Sequence, residues 1–273
     1  MAAAPTPVAL TIAGSDSGGG AGIQADLKAF AAAGVHGTSA ITALTAQNTV
    51  GVTAIEVISP TMIVAQIATV AADLPIGAVK IGMLADRRTI EAVAEGLAGL
   101  DPSIPVVQDP VMIAESGARL LEEDAMEALL TLIVPRATVI TPNLGEARAL
   151  VDGAQGDGAS AQLDDDSLLG ALLELGPAWA MVTGGHRDEA VDLLASRDGD
   201  RHQFVGPRHP DGAAHGSGCT HASTLAAYLA RGSTVPEAAA QARAAASFAV
   251  EHGLRELGAG AGPVDVLGLR FRR

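Results

Sequence analysis

Short apolar runs alternate with helix-period segments along most of this chain, and that rhythm restricts the fold more than any single motif. Residues 8–13 predict a strand, followed by a glycine loop at 18–20 and a helix over 23–33. A second strand is expected at 38–44. Further on come a helix at 61–72, a strand at 79–83, a helix at 89–97 and a strand at 106–108. The same order continues with a helix at 123–133, a strand at 138–140 and a helix at 144–150. Beyond a Gly-, Ala- and Asp-rich loop at 153–166, a helix near 168–175 leads to a strand at 179–183. Segments 190–195 and 203–205 predict a hairpin turning at 197–201, with Asp198-Gly199 at its tip. Two Ala-rich helices, 220–229 and 236–251, follow. Strand–helix alternation of this kind argues for an α/β class protein with a mostly parallel central sheet covered on both faces. With 273 residues, no internal repeat and no convincing linker, one domain over 1–273 is expected, with 1–7 as a flexible tail.

Composition narrows the partners. The chain is 48% hydrophobic, yet no apolar run reaches the ~18 residues of a membrane span. Residues 1–7 lack the positive start and long apolar stretch of a signal peptide. A lone cysteine, Cys219, excludes an internal disulfide and agrees with a reducing compartment, so a cytoplasmic location is expected. The formal charge is −14, and only Lys28 and Lys80 among the 17 basic residues are lysines. A surface this acidic repels phosphodiester backbones and anionic lipid, so neither nucleic acid nor membrane is expected as a partner. An anionic small molecule must be met locally, by backbone N–H groups, a few arginines or a metal.

Three motifs could carry chemistry. The first is the loop from Gly14 to Gly22, Gly-Ser-Asp-Ser-Gly-Gly-Gly-Ala-Gly, between a strand and a helix. Its glycines allow close backbone approach to a ligand, and the helix start adds partial positive charge. No Gly-Lys-Ser/Thr follows, and the dinucleotide spacing fails at Ile23. A tight strand-to-helix turn is the plain alternative. The second is Gly216-Ser217-Gly218-Cys219-Thr220, where a Gly-x-Gly turn before a helix makes an anion nest. A cysteine there should have a lowered pKa and thiolate character, unless it is simply a buried thiol. The third is Asn143-Leu144-Gly145-Glu146, which reads equally as a helix cap or as part of a hydrated Mg²⁺ site with Asp109. The seven histidines show no metal-ligand spacing; His186 and His215 draw interest only through their neighbours.

These segments, with Gly19–Phe30, Ala40–Asn48, Lys80–Leu84, Asp109–Met112, Thr141–Glu146, Gly184–His186 and His215–Thr220, occur in order across the chain. Together they resemble the hydroxymethylpyrimidine/phosphomethylpyrimidine kinase family of thiamine biosynthesis, in the ribokinase-like superfamily. The resemblance implies a three-layer α/β/α homodimer that uses MgATP. Its acceptors are 4-amino-5-hydroxymethyl-2-methylpyrimidine and then the monophosphate of that pyrimidine. Gln47 would read the aminopyrimidine edge, a carboxamide pairing with a ring nitrogen and its neighbouring amine. Gly14, Ala21, Asp26, Met83 and Val111 would complete the acceptor pocket. Cys219 would act as base, and the Gly216, Ser217 and Gly218 backbone as the anion hole. Asn143, Glu146, Thr183 and Gly185 would lie on the nucleotide side, with Asp109 and Glu146 toward Mg²⁺.

Three positions depart from the family pattern. Thr183 and Glu115 stand where the family carries lysines, and Ser217 where it carries threonine. Arg187 and Arg208 are the nearest replacement cations in sequence. Two rival functions remain open: a pyridoxal/pyridoxine kinase of the same fold, and a paralogue that binds pyrimidine without turnover.

Overall fold

Nine strands form one sheet in the computed structural model, which describes residues 5–112, 120–184, 190–210 and 212–272. The strands are β1 (Val8–Asp16), β2 (His36–Asn48), β3 (Gly51–Val57), β4 (Ile76–Ile81), β5 (Val106–Gln108), β6 (Val139–Ile140), β7 (Trp179–Val182), β8 (Ala190–Ser196) and β9 (Arg201–Gly206). Their order across the sheet is β3-β2-β1-β4-β5-β6-β7-β8-β9. The run from β2 to β7 is parallel, while β3, β8 and β9 are antiparallel additions at the two edges.

Successive strand residues face opposite layers, and both layers are covered. Ala9, Ala78, Val107, Val139, Met181 and Leu194 pack under α1 (Gly22–Ala32), α7 (Ser217–Ala230) and α8 (Val235–Glu251). Their neighbours Leu10, Val79, Val106 and Ile140 pack under α2 (Pro60–Asp73), α3 (Arg87–Ala98), α5 (Leu144–Gln155) and α6 (Asp165–Glu174). Burial on both faces is why these strands read as unbroken apolar runs rather than alternating ones. Alanines on α7 and α8 (Ala222, Ala226, Ala238, Ala242) let those two helices sit close together above the sheet. The expected three-layer α/β/α architecture is the one found. Among the described residues no helix is long and apolar enough to cross a membrane.

Two elements differ from expectation. The second strand continues to Asn48 and turns at once into β3, which the sequence does not announce. Asn48 makes that turn, its side-chain oxygen accepting the N–H groups of Val50 and Gly51. The helix expected at 123–133 is irregular: a 3₁₀ turn at Glu123–Ala125, a short α4 at Met126–Ala128, a π turn at Leu129–Ile133 and a 3₁₀ turn at Val134–Arg136. Pro135 lacks the N–H a regular ladder would need there, and its ring crowds the preceding turn. Helix α5 also runs on to Gln155, into the segment expected to be loop.

The chain enters at β1, moves outward to β2 and then returns to β4 on the other side of β1. Loops leaving neighbouring strands therefore diverge at the carboxyl ends of β1 and β4. A crevice opens there, as it does at such reversals in open α/β sheets.

Candidate active site

The crevice is a cavity of about 470 Å³, within the range of small-ligand sites. Gly14, Ala21, Gln47, Met83 and Val111 line it from the β1–β2–β4 side. Asp109, Asn143, Glu146 and Thr183 line it from the ends of β5, β6 and β7, and Gly216, Ser217, Gly218 and Cys219 from the start of α7. Gly185, Glu115, His186 and Arg187 lie outside the described residues. Asp26 is the exception: it is fully buried beneath the cavity and does not line it.

The glycine loop does not offer its N–H groups to a ligand. Asp16, inside the loop, already accepts from Gly18, Gly20 and Ala21. His215 Nε2 lies 3.1 Å from the same Asp16 carboxylate. Burial alone would raise this carboxyl, but His215 and the loop N–H groups outweigh it and hold Asp16 below the usual range. Any stability this contributes is present above the ordinary Asp pKa and lost as pH falls through the lowered value. The loop is a wall with its own anion.

The second loop is only partly engaged with its own backbone. Gly216 sits at φ +86°, and a Cβ there would collide with the carbonyl of Gly20. Only glycine lets the two loops touch at that point. Ser217 and Gly218 open the 14-residue helix α7; the Ser217 N–H donates to the Ala214 carbonyl at 2.9 Å, which leaves the Gly218 N–H as the first-turn donor facing the cavity. His215 thus ties the acceptor-side loop to the start of the anion nest.

Cys219 is half-buried on the cavity wall, and its thiol is pushed up to about 12. Burial is the main cause, with Asp26 and Asp109 adding to it; Lys80 and the Gly22 N–H oppose them without prevailing. The thiolate expected from the helix start is therefore disfavoured, because lost solvent and two carboxylates outweigh the helix end.

Lys80, which has no assigned role in the sequence reading, is fully buried and also reaches the cavity. Its Nζ is 3.0 Å from Asp26 and 3.7 Å from Asp109. Burial pulls Lys80 down, but Asp26, Cys219 and Asp109 together raise it, so it stays charged. Asp26 also accepts from Thr11 (2.6 Å) and Ser223 (2.6 Å), which fixes the lysine from below. In the sequence it stands out as a lysine inside an otherwise apolar strand, at the head of the matching stretch Lys80–Leu84.

Asn143 and Glu146 form the helix cap in full. Asn143 Oδ1 accepts from the Glu146 N–H and Glu146 Oε2 from the Asn143 N–H, each at 3.0 Å, a complete capping box on α5. Both residues also face the cavity. Glu146 is pushed up to about 8, by burial first and by Asp109 second. Asp109 is raised too, chiefly by burial, and its buried Oδ2 makes no hydrogen bond. Among the described residues no cluster of three or more His, Cys, Asp or Glu side chains could hold a metal. Two crowded carboxylates, one with a free oxygen, suit a hydrated Mg²⁺ that takes its remaining ligands from water and phosphate.

Known proteins resemble this chain along most of its length. Residues 16–265 match the family model described as phosphomethylpyrimidine kinase. A hydroxymethylpyrimidine/phosphomethylpyrimidine kinase of Streptomyces coelicolor is 44% identical over 264 residues, covering 95% of this chain and 94% of the relative. A solved phosphomethylpyrimidine kinase from Clostridium difficile 630 is 40% identical, with a TM-score of 0.74, covering 89% of this chain and 98% of that one. The pyridoxal kinase of Staphylococcus aureus in complex with ADP is 29% identical, with a TM-score of 0.84 over 98% of this chain and 96% of that one. A match across nearly the whole chain, over the residues that build this cavity, is not a likeness of fold alone: the chain belongs to the phosphomethylpyrimidine kinase family.

Proposed function

We propose that this chain transfers the γ-phosphoryl group of ATP to the hydroxymethyl oxygen of 4-amino-5-hydroxymethyl-2-methylpyrimidine, and then to the phosphate of the resulting monophosphate, in thiamine biosynthesis. One observation carries the reading. Acceptor-type and donor-type groups sit at opposite ends of one sheet edge, and the anion nest of α7 lies against both. Gln47, at the end of β2, has its side-chain oxygen 3.1 Å from Thr45 Oγ1, while its amide nitrogen has no protein acceptor among the described residues. That nitrogen suits a pyrimidine ring nitrogen. Asp109, Asn143, Glu146 and Thr183 form the nucleotide end, where Asp109 and Glu146 would hold Mg²⁺. The ion, when bound, supplies positive charge against the phosphates. The protein's part is to place the hydroxymethyl oxygen beside the Gly216–Gly218 turn, where the Gly218 N–H and the start of α7 stabilise charge on the transferring phosphoryl.

Gln47→Leu is expected to weaken pyrimidine binding by about 1–3 kcal/mol, since the ring's polar edge then goes unpaired. Calorimetric titration checks this, and unchanged affinity would take Gln47 out of the site. The likeness to pyridoxal kinase structures favours a second acceptor, pyridoxal, also a hydroxymethyl-bearing nitrogen heterocycle. Measuring ATP consumption with the pyrimidine, its monophosphate and pyridoxal separates the readings; turnover of none of them would leave only binding.

The whole chain acts as one catalytic unit in the cytoplasm, where ATP is available, and pairs as a homodimer. Strand β3 supports the pairing. It is an unprotected sheet edge with Ile55 and Val57 exposed, beside exposed Leu44 and Met62. Such an edge invites pairing unless it is covered. Ile55→Glu should convert the dimer to monomer in light scattering. A monomeric wild type would remove this part of the reading.

A further inference from the structure

Three polar side chains on the cavity wall are left unfinished. Asp192 on β8 accepts the Gly184 N–H at 2.9 Å through Oδ1, but its buried Oδ2 has no hydrogen-bond partner. His221, one turn into α7, places Nε2 3.4 Å from that oxygen, and Arg243, on α8, places Nε 3.8 Å from it. Neither contact reaches hydrogen-bond geometry. Both ring nitrogens of His221 and the Nε of Arg243 are likewise buried without partners among the described residues. Four buried polar atoms without hydrogen bonds in one spot are costly, and a native site tolerates them when something else completes the cluster.

Charge indicates what that something is. On the rest of the wall, each buried base is already matched by carboxylate: Lys80 by Asp26 and Asp109, His215 by Asp16. Arg208 stands exposed at the rim. At Asp192 the match is loose: Arg243 Nε stands 3.8 Å from the carboxylate and makes no hydrogen bond, so the guanidinium keeps charge to offer a ligand. Arg243 is also held rigidly. Its Nη2 donates to the Ala190 carbonyl at 2.6 Å, and it packs so tightly on Gly206 that a Cβ there would lie 2.8 Å from Nη2. Its side chain keeps 14% exposure, while Asp192 and His221 keep 2% and 5%. Arg243 is thus the member able to touch a ligand, and the other two are able only to aim it.

We propose that Arg243 binds the phosphates of the nucleotide, positioned by Asp192 and His221. The assignment rests on ATP being the phosphoryl donor. A fixed guanidinium suits phosphate oxygens, and a site in a chain of net charge −14 must supply such cations locally. Thr183, at the end of β7 on the same wall, brings no charge of its own.

The test is calorimetric titration of ATP, ADP and adenosine against the full chain carrying Arg243→Met, Arg243→Lys or His221→Leu. Arg243→Met should weaken ATP and ADP by about 10- to 100-fold and leave adenosine within about twofold. Arg243→Lys should recover most of the loss. His221→Leu should raise the KM for ATP several-fold at little cost in kcat and leave the KM for the pyrimidine unchanged. ATP binding by Arg243→Met within twofold of wild type overturns the proposal, as does an equal loss for adenosine. If Arg243→Met does not fold, Arg243→Lys and His221→Leu decide: normal ATP affinity and KM in both would equally overturn it. Failure of the unchanged chain to bind ATP at all would instead remove the donor reading on which the assignment stands.

Discussion

Replacing Lys80 with methionine is expected to lower stability by about 3–5 kcal/mol, the cost of leaving a buried carboxylate without its partner. Lys80 and Asp26 are both fully buried, so water cannot screen the charge that remains. Thr11 and Ser223 would still donate to Asp26, but neutral donors do not offset a whole charge. The double change Lys80→Met/Asp26→Asn should regain much of that loss, because it removes both charges together. Urea unfolding of the two variants checks the pair. A single variant as stable as wild type would show that Lys80 is not what neutralises Asp26. Asp109 would also lose the cation 3.7 Å away, so the double variant should remain a poor enzyme even when it folds.

Cys219→Ser is expected to slow phosphorylation of the hydroxymethyl acceptor by about 10²–10⁴-fold and to spare the monophosphate step more. The first acceptor is a neutral alcohol whose proton must leave, while the second is already ionised near neutral pH. The raised thiol sharpens this into a pH test. A thiol pushed up to about 12 is ionised only rarely at pH 7, and its ionised fraction grows tenfold per pH unit. If the thiolate takes the proton, the first step should climb with that slope from pH 6 to 9, and the second should not. Equal losses in Cys219→Ser, or a flat first-step profile, would leave Cys219 as part of the wall. The same shift bears on stability. An unfolded thiol ionises near its ordinary value, so the protein should lose stability as pH rises above about 9.

The parallel strands are legible in the sequence because burial on both faces makes them short, dense apolar runs. The Gly216–Cys219 nest is legible for a different reason, since spacing and a following helix are local facts. Strand β3 escapes because its turn, Thr49-Val50, carries none of the usual hairpin residues and the strand itself is almost wholly exposed. Lys80 escapes because its meaning lies in Asp26, 54 residues away, and in Asp109, just past the end of the neighbouring strand β5. Asp26 was expected in the acceptor wall because it sits within the matching N-terminal block. Helix α1 instead turns it inward to Lys80. The Asp192–His221–Arg243 cluster joins β8, α7 and α8, and no spacing in one dimension predicts such a meeting. The lowered cysteine pKa fails on similar grounds: the helix start is visible in sequence, whereas the two carboxylates that override it are not.

Asp16 gives the molecule a sense of direction. Two glycine-rich loops face one cavity, and by composition either could receive a phosphate. One arrives with its charge already installed, since the Asp16 carboxylate occupies the N–H groups of Gly18, Gly20 and Ala21. An incoming triphosphate meets repulsion on that flank and open donors on the other. The cavity therefore has a head and a tail before anything binds, set by a single side chain and without a moving part. Exchanging Asp16 for a neutral residue would do more than loosen a loop: it would make the two ends alike, and nucleotide could then lodge where the acceptor belongs.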